Sequence, residues 1–266
     1  MNYESIPHNW DFNRGESPVI TTAIHSGHNL RDEIINSIIL DDSARLREED
    51  PFTEYFATKA SSSNITVHQS RFEIDLNRPR ETAVYATPEQ SWGLDVWGGN
   101  LSDILIERSL GIYDNFYQMT EKYIKDMLKK HGFFVLLDIH SYNHVRPTWD
   151  SPPADPDKNP EINVGLADLD ESLWGNVVEK VISVLEKSPA TLRWNDVRKN
   201  VKFRGGYFPR WVNRHFGDKG CAVALEFKKT FMNEWSGAVN RKACDEISET
   251  LSTLVEKISE MFVRCQ

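Results

Sequence analysis

The sequence predicts an α/β fold, a mainly parallel central sheet with helices on both faces. Three observations predict it. Strand-like and helix-like stretches alternate from one end to the other, the pattern of strands joined by crossover helices. Residues 133–137 and 221–225 are unbroken apolar runs, as expected of strands buried on both faces. The long helical stretches each carry a single apolar stripe, the face a helix lays on a sheet. No repeat, low-complexity tract or linker interrupts the alternation, so residues 1–266 are expected to form a single domain.

Bulk chemistry narrows the function. The 31 Lys and Arg against 40 Asp and Glu give a net charge of −9 and a pI near 5.4. That balance disfavours nucleic acid and anionic membrane as partners and points to a small molecule. Cys221, Cys244 and Cys265 are far apart and odd in number, a poor disulfide framework and the usage of a cytoplasmic chain. No run of about 18 apolar residues occurs, and residues 1–16 lack an apolar core with a cleavage site. Neither a membrane span nor an export signal is expected.

Residues 18–24 are β-branched and apolar enough for a central strand, which stops at His25-Ser26-Gly27-His28-Asn29. Residues 30–40 have helical spacing, with Asn29 placed to cap, so His25 and His28 are expected in a strand-to-helix turn. Glu48-Glu49-Asp50 precede Pro51. Proline is tolerated in a first helical turn, and 51–60 reads as a short helix capped by Asp50. As a charge run, 48–50 is on its own expected to be solvated.

Residues 65–68 read as a short strand. In 70–80, strict alternation puts Phe72, Ile74 and Leu76 on one face and Arg71, Glu73, Asp75 and Asn77 on the other, the pattern of a half-buried strand. Its arginines could hold a substrate carboxylate through two parallel hydrogen bonds. Residues 81–100, with Trp92, Trp97 and Gly98-Gly99, read as a loop at the rim of a site, the tryptophans as packing. From 101 to 130, Ile112, Phe116, Met119, Tyr123 and Met127 recur at three- and four-residue steps, which makes a helix laid on the sheet.

The next strand is the one the chain is organised around. After His131-Gly132, the run Phe133 to Leu137 passes into Asp138, His140, Ser141 and Tyr142. In an open α/β sheet ligands bind beyond the carboxyl ends of the strands. Asp138 and His140 share a face there, where the carboxylate could orient the ring and fix its tautomer. Residues 143–160, rich in Pro and Asp, read as a long loop, 161–167 as another strand and 173–185 as a helix. Val201-Lys202-Phe203 leads into Arg204-Gly205-Gly206-Tyr207, a turn where backbone could approach a ligand, and 208–215 is a short helix or ordered loop. Residues 221–227 form a buried strand with Glu226 at its carboxyl end, where an ionised carboxylate needs a partner or a use. An amphipathic helix over 238–263 closes the chain. His8, His68, His131, His144 and His215 are expected at the surface or in local hydrogen bonds, with His144 nearest to the key strand.

Three predicted strands thus end in His25, His140 and Glu226. Two histidines and a carboxylate around an open position form a common catalytic zinc shell. A separate glutamate can then serve as general base on water activated by the metal. The chain has no G-x-S-x-G, P-loop, G-x-G-x-x-G or H-E-x-x-H, so serine hydrolysis and the nucleotide-dependent classes fit less well.

Taken together, Ala23-Ile24-His25-Ser26-Gly27, Arg71 with Asp75-Leu76-Asn77-Arg78-Pro79, Leu137-Asp138-Ile139-His140-Ser141 and Gly205-Gly206-Tyr207, in this order and at these separations, resemble the N-formylglutamate amidohydrolase family. That family is related to the zinc carboxypeptidases and to the succinylglutamate desuccinylase and aspartoacylase group. The resemblance runs from about residue 18 to about residue 235. It implies a single three-layer α/β/α domain of the zinc exopeptidase type with a mixed, mostly parallel central sheet, a Zn2+ cofactor and hydrolysis of an amide next to a carboxylate in an N-acyl amino acid. Carried over, His25 and His140 resemble zinc ligands, and Asp50 the third. Because the related carboxypeptidases use an H-x-x-E pair and the fourth residue here is His28, His28 competes for that third place. Glu226 is similar in placement to the glutamate base. Arg71, Asn77 and Arg78 resemble the carboxylate and oxyanion contacts, joined by Tyr207 of the glycine turn. A carboxypeptidase-like hydrolase of short peptides and a non-catalytic carboxylate-binding protein are the alternatives within the same fold.

Overall fold

The computed structural model describes residues 9–187 and 196–263. His8 and Cys265 lie outside the described residues. In chain order the elements are β1 (Trp10–Asn13), β2 (Val19–Ala23), α1 (Asp32–Ile35), α2 (Asp42–Glu48), α3 (Thr53–Ala60), β3 (Asn64–Val67), α4 (Asp103–His131), β4 (Phe134–Tyr142), β5 (Ile162–Gly165), α5 (Glu171–Glu186), β6 (Val197–Lys199), α6 (Tyr207–Phe216), β7 (Gly220–Lys228) and α7 (Arg241–Val263). The strands form one seven-stranded mixed sheet in the order β1-β3-β2-β4-β7-β5-β6. The central β3-β2-β4-β7 stretch is parallel, as is the β5-β6 pair, while β1 runs against β3 and β5 against β7.

Alternation along the two long strands builds two cores. Val135, Leu137 and Ile139 of β4, with Cys221, Val223 and Leu225 of β7, pack under α3, α5 and α7. Phe134 and Leu136 of β4, with Ala222 of β7, face α4 and α6 instead. All of these side chains are withdrawn from solvent, and each fully buried Val, Leu or Phe contributes about 1.5–3 kcal/mol. These helices on both faces make the three layers. α4 ends where expected: Gly132 takes φ 78°, a left-handed conformation that favours glycine, and its N–H closes on Leu128 O at 2.8 Å. No helix among the described residues is long and apolar enough to cross a membrane.

Four local expectations change. Residues 30–40 hold only the single turn of α1, because the flanking backbone is engaged elsewhere: Asn29 N–H bonds His68 O at 2.9 Å and Ile39 N–H bonds Val96 O at 3.0 Å. Residues 70–80 are a series of turns, not a strand. Phe72, Ile74 and Leu76 are buried as the alternation implies, but so are Glu73 and Asp75, which have charged partners inside the protein. Asp50 does not cap α3, whose N-cap is Phe52. The run 48–50 is not solvated, since Glu48, Glu49 and Asp50 are all buried. Pattern alone misses β1, a four-residue edge strand whose alternation, Trp10-Asp11-Phe12-Asn13, is too short to stand out.

Candidate active site

β2 and β4 are parallel neighbours, so the segments leaving their carboxyl ends emerge at the same edge of the sheet. His25, two residues beyond β2, and His140, two residues before the end of β4, bring their rings to 4.9 Å between centroids. The turn between α2 and α3 folds over that edge and places Asp50 against both. Asp50 Oδ2 lies 2.9 Å from His140 Nδ1 and 3.5 Å from His25 Nδ1. One ligand atom from each of the three residues falls within 4.8 Å of the others. Donors about 2.0–2.1 Å from one ion at tetrahedral angles stand about 3.3 Å apart, so three groups this close could share a single ion.

The far nitrogens support the same reading. His25 Nε2 is 2.7 Å from Asp75 Oδ1, and His140 Nε2 is 2.8 Å from Asp138 Oδ2. A carboxylate on each Nε2 holds the proton there, so that in the neutral imidazole Nδ1 is the nitrogen with a lone pair to offer an ion, whereas a protonated ring donates from Nδ1 to Asp50. Both carboxylates are themselves held: Asp138 accepts from Thr22 Oγ1 at 2.6 Å, and Asp75 from Arg71 Nη2 and the main-chain N–H of Asn77, each at 2.9 Å. Burial by itself raises the Asp50 carboxyl, but hydrogen bonds to His140 and His25 outweigh it and hold the group well below the usual carboxylate range. For His140 burial works downward, and the charges of Asp138 and Glu226 overcome it and raise the imidazole well above its ordinary value. The cluster therefore draws positive charge in.

His28 goes elsewhere. Its Nδ1 is 2.6 Å from Glu49 Oε2 and its Nε2 3.1 Å from Arg45 Nη2. Between the two candidates for third ligand, the fold brings Asp50, not His28, to the imidazoles.

Glu226 stands opposite His140 in the β4–β7 register, and because the strands are parallel neighbours the two side chains share a face. Its carboxylate has no hydrogen-bond or ion-pair partner among the described residues. The adjacent Lys228 pairs instead with Glu161 at 2.6 Å. Burial pushes Glu226 up to about 7, against the opposing charge of His140, a value suited to taking and giving a proton near neutrality.

These groups open into one cavity of about 720 Å3, lined among others by His25, Asp50, Arg71, Asn77, His140 and Glu226. Arg71 is fixed by Asp75 and by Tyr85 Oη at 3.2 Å, and its guanidinium lies 4.7 Å from the ring of Trp92. Its Nη1 has no protein partner among the described residues. Asn77 Oδ1 accepts from Phe208 N–H at 2.9 Å, which leaves its Nδ2 uncommitted. Arg78 and Tyr207 do not line this cavity. The Arg78 guanidinium bonds Gln90 O and lies over Tyr85, while Tyr207 N–H bonds Asn77 O and its ring packs on Tyr117. In place of the Tyr207 side chain, Gly205 and Gly206 form the wall, and a Cβ on Gly206 would collide with the Asn77 side chain.

Several residues of the site escaped the sequence reading. Asp75 was one of four polar residues in an alternating stretch, and Trp92 one of several tryptophans. Lys229 and Glu48 also line the cavity; Glu48 reads in the sequence as part of a solvated charge run, and nothing around Lys229 marks it. Asp138 was legible, because a residue two positions from a histidine on a strand must share its face.

The comparisons agree with this architecture. The family model for N-formylglutamate amidohydrolases matches residues 17–232. An N-formylglutamate deformylase of Pseudomonas aeruginosa is 24% identical over 94% of both chains. The crystal structure of an N-formylglutamate amidohydrolase from Ralstonia eutropha superposes with a TM-score of 0.75 at 13% identity, covering 97% of this chain and 99% of that one. A gene product of Agrobacterium tumefaciens follows at 0.67 and 16%, with 94% of each chain covered. At such identities the structures establish the fold alone, whereas the family match spans most of the sequence and contains His25, Asp50, Arg71, Asn77, His140 and Glu226. The chain belongs to the N-formylglutamate amidohydrolase family.

Proposed function

We propose that the protein is a zinc-dependent amidohydrolase that cleaves the amide of an N-formyl-type amino acid or a similar carboxylate-bearing small molecule. The observation that carries this reading is the convergence of His25, Asp50 and His140 beside Glu226 and Arg71 in one cavity. The names of the Pseudomonas and Ralstonia relatives, a deformylase and an amidohydrolase of N-formylglutamate, support the same bond and substrate class. The free, buried Cys221 and Cys244 fit a reducing compartment such as the cytoplasm.

Zinc held by His25, Asp50 and His140 would supply a Lewis acid and a water of lowered pKa, near 7 in the best-known cases. The protein does the rest. Glu226, buried and unpaired, accepts the proton of the attacking water and delivers it to the departing amine. Arg71 offers Nη1 to the substrate carboxylate or to the developing negative charge on the acyl oxygen, and Asn77 Nδ2 is a second donor on the same wall. Because Asp75 and Tyr85 already hold the guanidinium, little side-chain entropy is lost when it binds.

Elemental analysis together with a substrate panel tests this. Purified protein is expected to carry about one zinc per chain, and to hydrolyse formyl amino acids in a panel of formyl, acetyl and succinyl derivatives and dipeptides. His140→Ala is expected to lose zinc and turnover together. A metal-free protein that binds N-acyl amino acids without cutting them would overturn the proposal in favour of a binding module.

A further inference from the structure

The Glu49–Asp50 peptide is the link that delivers Asp50 to the two imidazoles, and both of its polar groups are pinned. Its N–H, on Asp50, donates to the main-chain oxygen of His25 at 2.9 Å. Its C=O, on Glu49, accepts from Lys229 Nζ at 2.7 Å, and the same ammonium reaches Arg47 O at 2.6 Å. These carbonyls lie at the C-terminal end of α2, where a helix leaves its last carbonyls without internal partners and its dipole is negative. With 48–50 buried, an unpaired Glu49 carbonyl would be costly, whereas Arg47 O also accepts from Asn143 Nδ2 at 2.8 Å.

A lysine is an expensive way to fill such a place. Lys229 is 1% exposed, and among the described residues no carboxylate stands within ion-pairing distance of it. Burial lowers its pKa to about 8. An apolar side chain would avoid the desolvation of an ammonium, but it could not gather two carbonyls that point in from the same turn. The backbone of Lys229 is fixed as well: it follows β7 directly, and its N–H bonds Tyr142 O at 3.0 Å, at the end of β4. One residue thus ties the strands that carry His140 and Glu226 to the turn that carries Asp50.

We infer that Lys229 is a positioning residue which, by clamping the carbonyls of Arg47 and Glu49, sets the plane of the peptide before Asp50 and aims the Asp50 carboxylate at His25 and His140. The inference rests on the zinc reading given above. Outer partners of metal ligands contribute about 10–100-fold to metal affinity, and here the partner acts on the backbone of the ligand rather than on its side chain.

The test uses the full chain, as wild type, K229M and K229Q, each stripped of metal. Zn2+ is titrated against a chromophoric chelator, and Co2+ is added while the visible absorption bands are recorded. K229M is expected to bind zinc about 10–100-fold more weakly and to give altered cobalt bands. K229Q, which keeps a neutral donor, is expected to fall between K229M and wild type. A residue that served only the stability of the fold would lower the unfolding temperature of the metal-free protein and leave the cobalt spectrum unchanged. That result, or zinc affinities within about threefold of wild type in both variants, overturns the inference. If K229M does not fold, K229Q decides by the same two readouts. A wild-type chain that binds neither ion overturns the zinc reading and this inference with it, whereas variants that match a metal-binding wild type remove Lys229 alone.

Discussion

Glu226 and Asp50 are both buried carboxylates at the same edge of the sheet, yet their surroundings drive them in opposite directions. Asp50 lies against two imidazoles and stays ionised, while Glu226 has no hydrogen-bond or ion-pair partner among the described residues and is pushed up by burial to about 7. This divergence is what the proposed roles require, Asp50 as a ligand and Glu226 as a proton carrier. Glu226→Gln keeps the shape and removes the titrating group, so it is expected to retain zinc and to lower kcat by about 10²–10⁴ with little change in KM. Steady-state kinetics beside metal analysis checks it, and turnover near wild type would dismiss Glu226 as the base. Asp138→Asn is expected to keep zinc but bind it about 10–100-fold more weakly, because the amide no longer fixes the Nε2 proton of His140. A chelator competition reads this out. At this scale the sequence announced His25, His140, Asp138 and Glu226, since each ends or follows a recognisable strand. It did not announce Asp75 or Lys229, whose chemistry depends on partners 50 and 180 residues away.

Among the elements, the short α2–α3 turn and the amino end of α6 do the most to shape the cavity. Asn77 stitches the second of these down: its Oδ1 takes the Phe208 N–H, its main-chain oxygen takes the Tyr207 N–H, and its side chain rests against Gly206. Gly206→Ala is therefore expected to displace Asn77 and raise KM for an N-formyl amino acid, while zinc affinity stays at the wild-type level. Equal losses in both measurements would mean that this wall reaches the metal centre. A core substitution far from the site should behave in the opposite way. Leu251 of α7 is fully buried in the core under α3 and α5, so Leu251→Ala is expected to cost about 2–5 kcal/mol in denaturant unfolding, with kinetics of the folded enzyme unchanged. The helices that support the sheet were readable from apolar spacing. The turns at 70–80 were not, because a two-residue alternation of buried and charged positions looks like a strand until the charged positions find partners inside.

For the molecule as a whole, the proposed metal centre would join segments from positions 25, 50 and 140, so binding an ion there should couple to folding. Zinc at about 100 times its dissociation constant would add about 2.7 kcal/mol, which for a chain of this size raises the unfolding temperature by roughly 5–10 °C. Thermal melts with zinc and with a chelator test this, and His25→Ala is expected to abolish the difference. A shift that persists in that variant would place the ion elsewhere. What the sequence determined by itself was the layered α/β class and the histidines and glutamate at the strand ends, because apolar runs, helical stripes and side-chain alternation are properties of neighbours along the chain. What only the tertiary structure decided was that Asp50 rather than His28 meets the imidazoles, that β5 runs antiparallel to β7, and that Arg78 and Tyr207 turn away from the cavity that Arg71 and Asn77 line. Each of these depends on which remote backbone and charged groups satisfy one another once buried, and that pairing is settled only when the layers close.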